Sequence, residues 1–144
     1  SENPVLRHKI WRAVNTDEVG EPNAFAIAAT LAAFNEGTLW LDELREYVYK
    51  NMLKVKAFLE SELPEVKLYP SEATYLLWLD VSAYGLPSGR LWAHIRKTSG
   101  LFLSNGEIYG GNGRDFLRMN IACPASFLDD GLARLKRSLD ALED

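Results

Sequence analysis

The sequence has little cysteine, little histidine, no excess of positive charge and no long apolar run, and each shortage excludes something. Its one cysteine, Cys123, cannot close an internal disulfide, so the fold has to rest on a core, and a reducing, cytoplasmic setting is the expectation. Its two histidines, His8 and His94, stand far apart with no second ligand at metal spacing, which favours surface or packing roles over zinc. A net charge of -4 argues against a nucleic-acid partner, because phosphate binding needs a basic footprint. No apolar stretch approaches the ~20 residues of a membrane span, so no membrane partner is expected. No basic start followed by an apolar core marks a signal peptide, and nothing resembles a Ser-His-Asp arrangement. The Gly-rich stretch 104–113 is not a phosphate loop, because it leads into a strand rather than a helix and holds no lysine. The chain begins Ser1-Glu2-Asn3-Pro4, and its only methionines are Met52 and Met119; a piece of a longer protein is the expectation.

What is present has the balance of a globular chain. Of 144 residues, 47% are hydrophobic and 25% charged, which allows a real core. Composition and pattern divide the chain near residue 64, and everything before that point reads as helix. Asn3-Pro4 is a good opening, an N-cap followed by a proline at the first helical position, for a helix running to about Val14. Residues 15–20 read as a polar link. Pro22 starts an Ala-rich second helix with almost no charge, expected to be buried nearly all round. Gly37 ends it and Thr38 caps a long helix, which Pro64 stops. Leu41, Leu44, Val48, Met52, Val55 and Leu59 recur along it at three- and four-residue steps, with Trp40 and Tyr47 widening the stripe. The four tryptophans are expected mostly in the core.

From residue 64 onward the order reads β-β-α-β-β-α. The fold class is α+β, a small, mostly antiparallel sheet covered by helices. Residues 66–69 form a short strand and 75–80 a strong one, apolar on both faces and therefore central. Ser88 caps a helix with Leu91, Trp92 and Ile95 inward and Gly100 as its stop. Residues 101–104 form a short strand and 105–115 a loop whose Asn105-Gly106 and Asn112-Gly113 pairs are turn signals. In Ser126-Phe127-Leu128-Asp129 the pattern resembles a capping box, opening a last helix with Leu128, Leu132, Leu135, Leu139 and Leu142 in register.

The stretch 116–124 carries the functional signal. Side chains alternate along a strand, so Leu117, Met119, Ile121 and Cys123 share an apolar face, with Cys123 read as a small hydrophobe rather than a nucleophile. Phe116, Arg118, Asn120 and Ala122 share the other. A guanidinium fork matches the two oxygens of a carboxylate, so Arg118 is a candidate clamp for a small acid. The pattern also allows a plain surface arginine, or one paired with Asp80. The residues by themselves contain a possible recognition arginine and no catalytic apparatus.

Several stretches taken together carry a resemblance. Pro22-Asn23-Ala24-Phe25, Trp40-Leu41-Asp42-Glu43-Leu44, Asn51, Leu63-Pro64-Glu65-Val66, the block from Ala73 through Tyr75 to Asp80 and the block from Phe116 to Pro124 follow in order. They resemble the C-terminal part of class I/II aminotransferase-fold enzymes, most of all the MalY/PatB-type cystathionine β-lyase-like C–S lyases. The resemblance covers nearly the whole chain. It implies a fold-type-I, pyridoxal-phosphate (PLP) enzyme, usually a homodimer, acting on an amino-acid substrate.

The family's carboxylate-binding arginine carries over to Arg118, and its cleft-lining positions to Thr74-Tyr75 and Asn105-Gly106. The substrate-binding set implied is therefore Arg118, Asn105 and Tyr75. Tyr109 stands where relatives often have Phe. None of the seven lysines stands in the context of the family's Schiff-base lysine, so the resemblance implies PLP in the parent enzyme and none bound by this fragment, which would not be catalytic alone. It also implies that residues 1–63 are the tail of a large domain plus a bridging helix, and that 64–144 are the small domain, closing over the cleft. Two other readings stay open: a transaminase of the same fold, and a non-catalytic α+β module that binds a small carboxylate.

Overall fold

A computed structural model of the chain describes residues 2–16 and 22–142. The expected polar link 15–20 lies outside them except for Asn15 and Thr16, which complete the first helix. The chain divides into two compact units, Ser1–Glu43 and Leu44–Asp144.

The first unit is helical. Helix α1 (Pro4–Thr16) starts as Asn3 and Pro4 dictate, the Asn3 carboxamide oxygen accepting the N–H groups of Val5 at 2.9 Å and Leu6 at 3.2 Å. Helix α2 (Ala26–Glu36) follows a turn in which Asn23 accepts from the N–H of Phe25. Helix α3 (Thr38–Glu62) begins directly after Gly37 and crosses into the second unit. Helix α2, expected to be buried nearly all round by neighbours beyond a small unit, is not covered within its own unit. No described residue of this unit is buried, and Phe25 and Phe34 stand 79% and 85% exposed. A unit of this length cannot enclose a helix that is apolar on every side.

The second unit is an antiparallel sheet with helices against one face. Its elements are the C-terminal part of α3, β1 (Lys67–Leu68), β2 (Leu76–Asp80), α4 (Ser88–Ser99), β3 (Ser104–Asn105), β4 (Phe116–Asn120) and α5 (Ala125–Asp140), so the β-β-α-β-β-α order holds. The strands lie in the order β1-β2-β4-β3, which puts β2 and β4 in the middle. Trp78 faces Arg118 across that central pair, and Leu79 faces Leu117. Leu77, Leu79, Leu117 and Met119 point to the helices and are buried with Val55 and Leu59 of α3, Leu91 and Ile95 of α4, and Leu128, Leu132, Leu135 and Leu139 of α5. Burying each such leucine stabilises the fold by about 1.5–3 kcal/mol before entropy is counted.

Local expectations differ from what is found in several places, and the strand expected over 101–104 is Ser104–Asn105 alone. Neither α4 nor α5 has a side-chain cap: Pro87 and Pro124, both extended, hold the N-cap positions, and the helices start one residue after them. Ser88 is thereby inside α4, fully buried, with its hydroxyl 2.8 Å from Asn105 Oδ1 and 3.1 Å from the Gly113 carbonyl. Ser126 is likewise too far inside α5 to cap it, and Asp129 pairs with Lys54 at 2.8 Å instead. None of the four tryptophans is fully buried, although Trp92 packs against the core. Trp11 and Trp40 are exposed, while Trp78 and Trp92 are half-buried, Trp92 donating from its indole N–H to the Leu103 carbonyl. An indole keeps a polar handle that a leucine core cannot satisfy.

Candidate functional site

The sheet face turned away from α3, α4 and α5 carries Arg118. Arg118 is the middle residue of β4, and its register partners are Trp78 on β2 and Ser104 on β3. Strand alternation therefore forms one row, Trp78-Arg118-Ser104, on the face opposite Leu77, Leu79 and Leu117. Within that row the Arg118 Nη2 donates to Ser104 Oγ at 3.2 Å. The Tyr109 ring covers the guanidinium, with Cζ 4.8 Å from its centroid. Asp80 is not the partner that strand spacing allowed: it lies at the end of β2, where Oδ1 accepts the Ser82 N–H at 2.9 Å. Among the described residues, no acidic side chain forms an ion pair with Arg118.

Beside the row, Tyr69, Trp78, Tyr109 and Phe116 line a shallow cavity of about 370 Å³. Their rings meet edge to face in succession, Tyr69–Phe116 at 6.1 Å, Phe116–Trp78 at 6.1 Å and Trp78–Tyr109 at 5.2 Å. A larger cavity of about 630 Å³ lies against α3 and β1, but none of the row's residues lines it, and its Lys56 lies 3.9 Å from Glu60.

Asn105 and Tyr75 lie elsewhere than in this row. Asn105 pairs with Leu117, so its side chain is on the helix face. There Oδ1 accepts from the Glu107 N–H and lies 2.8 Å from the Ser88 hydroxyl, and Nδ2 donates to Glu107 Oε2. Asn105 thus opens the 3₁₀ turn Gly106–Tyr109 that presents the Tyr109 ring. Tyr75 stands just before β2, half-exposed, its carbonyl accepting the Ile121 N–H, and alternation groups it with Leu77 and Leu79. The residue before it, Thr74, has φ +76, the only non-glycine positive φ among the described residues and a strained one for a β-branched side chain. Ser104, Trp78 and Tyr109 are the neighbours of Arg118 that sequence reasoning did not find. Only the register of β3 and β2 against β4 identifies the first two.

His94 and Cys123 have packing roles. His94 Nε2 lies 2.8 Å from the Ser138 carbonyl. Cys123 packs partly buried against the core, and burial pushes its thiol pKa up, away from a reactive thiolate. No group of metal-ligating side chains occurs among the described residues.

The arrangement around Arg118 suits the carboxylate of a small molecule, since a cation with no acidic partner among the described residues is presented on a half-open face with rings beside it. It does not suit PLP. Lys50, Lys54, Lys56 and Lys136 sit on helix exteriors paired with carboxylates, and neither an amine nor an acid for a pyridine nitrogen stands in the Arg118 row. No step of PLP chemistry can be assigned to these residues.

No family model matches the chain. Individual relatives do. The cystathionine beta-lyase PatB of Bacillus subtilis is 43% identical over 133 residues, covering 92% of this chain and 34% of the relative. Protein MalY of Escherichia coli is 31% identical over 88% of this chain. Among solved structures, a PLP-bound putative aminotransferase from Clostridium difficile superposes with a TM-score of 0.91 at 30% identity, covering 96% of this chain and 36% of that one. Cystalysin from Treponema denticola, which contains pyridoxal 5'-phosphate, gives 0.88 at 30% identity. The chain spans about a third of the length of the relatives it matches, and a C-terminal part of such an enzyme fits it.

Proposed function

We propose that this chain, a member of the aminotransferase-fold C–S lyase family that includes PatB and MalY, holds the α-carboxylate of the amino-acid substrate of a PLP-dependent C–S β-lyase. The observation that carries the reading is Arg118, a guanidinium on the sheet face turned away from the core, whose only close partners among the described residues are a neutral hydroxyl and a ring. A bidentate pair with a carboxylate would fix the substrate's Cα in one orientation, which is what proton removal at that carbon requires. PLP, held by other residues of the enzyme, supplies the electron sink for that chemistry.

The remaining assignments follow from this reading. Residues 1–63 belong to the tail of a large domain and a bridging helix, and 64–144 form a small domain that closes over the cleft. Asn105 and Tyr75 border the substrate site, Asn105 through the turn it opens. The enzyme works as a cytoplasmic homodimer, and this chain does not turn over substrate alone. No described helix is long and apolar enough to cross a membrane.

The test is kinetic, on the intact enzyme. Arg118→Ala is expected to raise KM for a cysteine thioether about a hundredfold, as removal of one partner of a charge-assisted pair does, with PLP still bound by its absorption. An unchanged KM contradicts the reading. A second reading, a transaminase, is favoured by the Clostridium difficile neighbour, which is named a putative aminotransferase. Products separate the two: the lyase releases pyruvate and ammonia from a cysteine thioether, and the transaminase needs a keto-acid acceptor.

A further inference from the structure

We infer that Tyr109 and Ser104 are positioning residues that hold the Arg118 guanidinium in the orientation a carboxylate requires. The inference deepens the reading of Arg118 as the carboxylate grip and rests on it. An arginine side chain has several rotatable bonds, and freezing them on binding weakens binding. Here two contacts freeze them beforehand. Ser104 Oγ accepts from Nη2 at 3.2 Å, which fixes one end of the fork. The Tyr109 ring lies against it, 4.8 Å from Cζ, which limits its swing. The remaining N–H groups of the fork have no partner among the described residues and stay available for two carboxylate oxygens.

Each positioning group is itself held. Trp78, next to Arg118 in the register, meets the Tyr109 ring edge to face at 5.2 Å with an 83° angle between planes. The backbone under Tyr109 is the turn that Asn105 opens by accepting the Glu107 N–H at 3.1 Å. That turn is braced by a close backbone approach, since a Cβ on Gly106 would collide with the carbonyls of Gly113 and Phe116. The buried Ser88 hydroxyl reaches both Asn105 Oδ1 and the Gly113 carbonyl, so the start of α4, the loop and the ring are tied together. This gives the Asn105-Gly106 pair a role at the site without contact to Arg118.

The experiment compares L-alanine with ethylamine, the same amine without the carboxylate, by their dissociation constants in calorimetry on the intact holoenzyme. General damage weakens both alike, whereas a misplaced guanidinium weakens only L-alanine. Tyr109→Leu is expected to lower the L-alanine/ethylamine preference about tenfold, and Tyr109→Phe, which keeps the ring, to retain it. Ser104→Ala, a small change that should fold whether or not Tyr109→Leu does, is expected to lower the same preference about threefold. Arg118→Ala, measured alongside, is expected to abolish the preference. If Arg118→Ala abolishes it while Ser104→Ala and Tyr109→Leu leave it intact, positioning is overturned and the role of Arg118 stands. If Arg118→Ala also leaves it intact, both are overturned.

Discussion

Asn51, buried in the middle of α3, donates from Nδ2 to the Ile121 carbonyl at 2.9 Å, three residues after Arg118. The same nitrogen reaches the Cys123 carbonyl at 3.1 Å. One amide thus satisfies two carbonyls where β4 has ended and α5 has not begun, a stretch that has no ladder partner for them. Asn51→Ala leaves both without a donor and is expected to lower stability by about 1–3 kcal/mol in urea denaturation. A loss below about 0.5 kcal/mol would show that water replaces the amide there.

Gly106 and Gly113 are buried against each other, and a Cβ on either would collide with the other's carbonyl. Gly106→Ala puts a methyl into backbone that cannot yield, and is expected to cost about 3 kcal/mol or more. Gly85 offers the contrast. Its φ of +66 and ψ of 7 lie in the left-handed region, with open space around the missing Cβ, so Gly85→Ala should cost only the left-handed penalty, about 1–2 kcal/mol. Thermal unfolding of the two variants checks the order, and equal losses would contradict the close approach.

The salt bridges and the core should differ widely in weight. Lys54 and Asp129 meet at 2.8 Å with both side chains half-exposed, so Lys54→Ala is expected to change stability by less than about 1 kcal/mol. Leu117, fully buried at the centre of the sheet, should lose about 2–5 kcal/mol when replaced by Ala. Denaturant midpoints at equal m-value measure both.

Cys123 gives the pH dependence. Burial raises its thiol pKa, so the folded state holds that proton more tightly than the unfolded state does. Its contribution to stability is complete below the ordinary thiol range of about 8.5 and is lost as pH rises through the folded value. Iodoacetamide should therefore alkylate the native protein more slowly than the urea-unfolded chain at pH 8, with the native rate profile displaced to higher pH. Equal rates would contradict the burial of the thiol.

Much of this was legible in the sequence because period and punctuation are local signals. The leucine stripe of α5, the stop at Gly100 and the opening at Asn3-Pro4 all rest on residues within a few positions of each other. Arg118 stood out because a cation in mid-strand breaks an otherwise apolar alternation. Its surroundings did not stand out, because Ser104 and Trp78 reach it only through the pairing of three strands, and no local pattern encodes that register. Ser88 misled for a related reason. A serine before a helix usually caps it, but here Pro87 takes that position and the hydroxyl turns to Asn105, a residue 17 positions away. What covers α2 was not legible, because composition describes what a helix could bury and not which element supplies the cover.

The measurement that tests the central claim most directly is a crystal structure of the intact protein with an amino acid, the proposed substrate class, bound. The account predicts two N–H···O contacts of about 2.7–2.9 Å from the Arg118 fork to the α-carboxylate, with Ser104 and Tyr109 keeping their contacts to the guanidinium. A carboxylate bound by another cation, with Arg118 left on Ser104 alone, would contradict it.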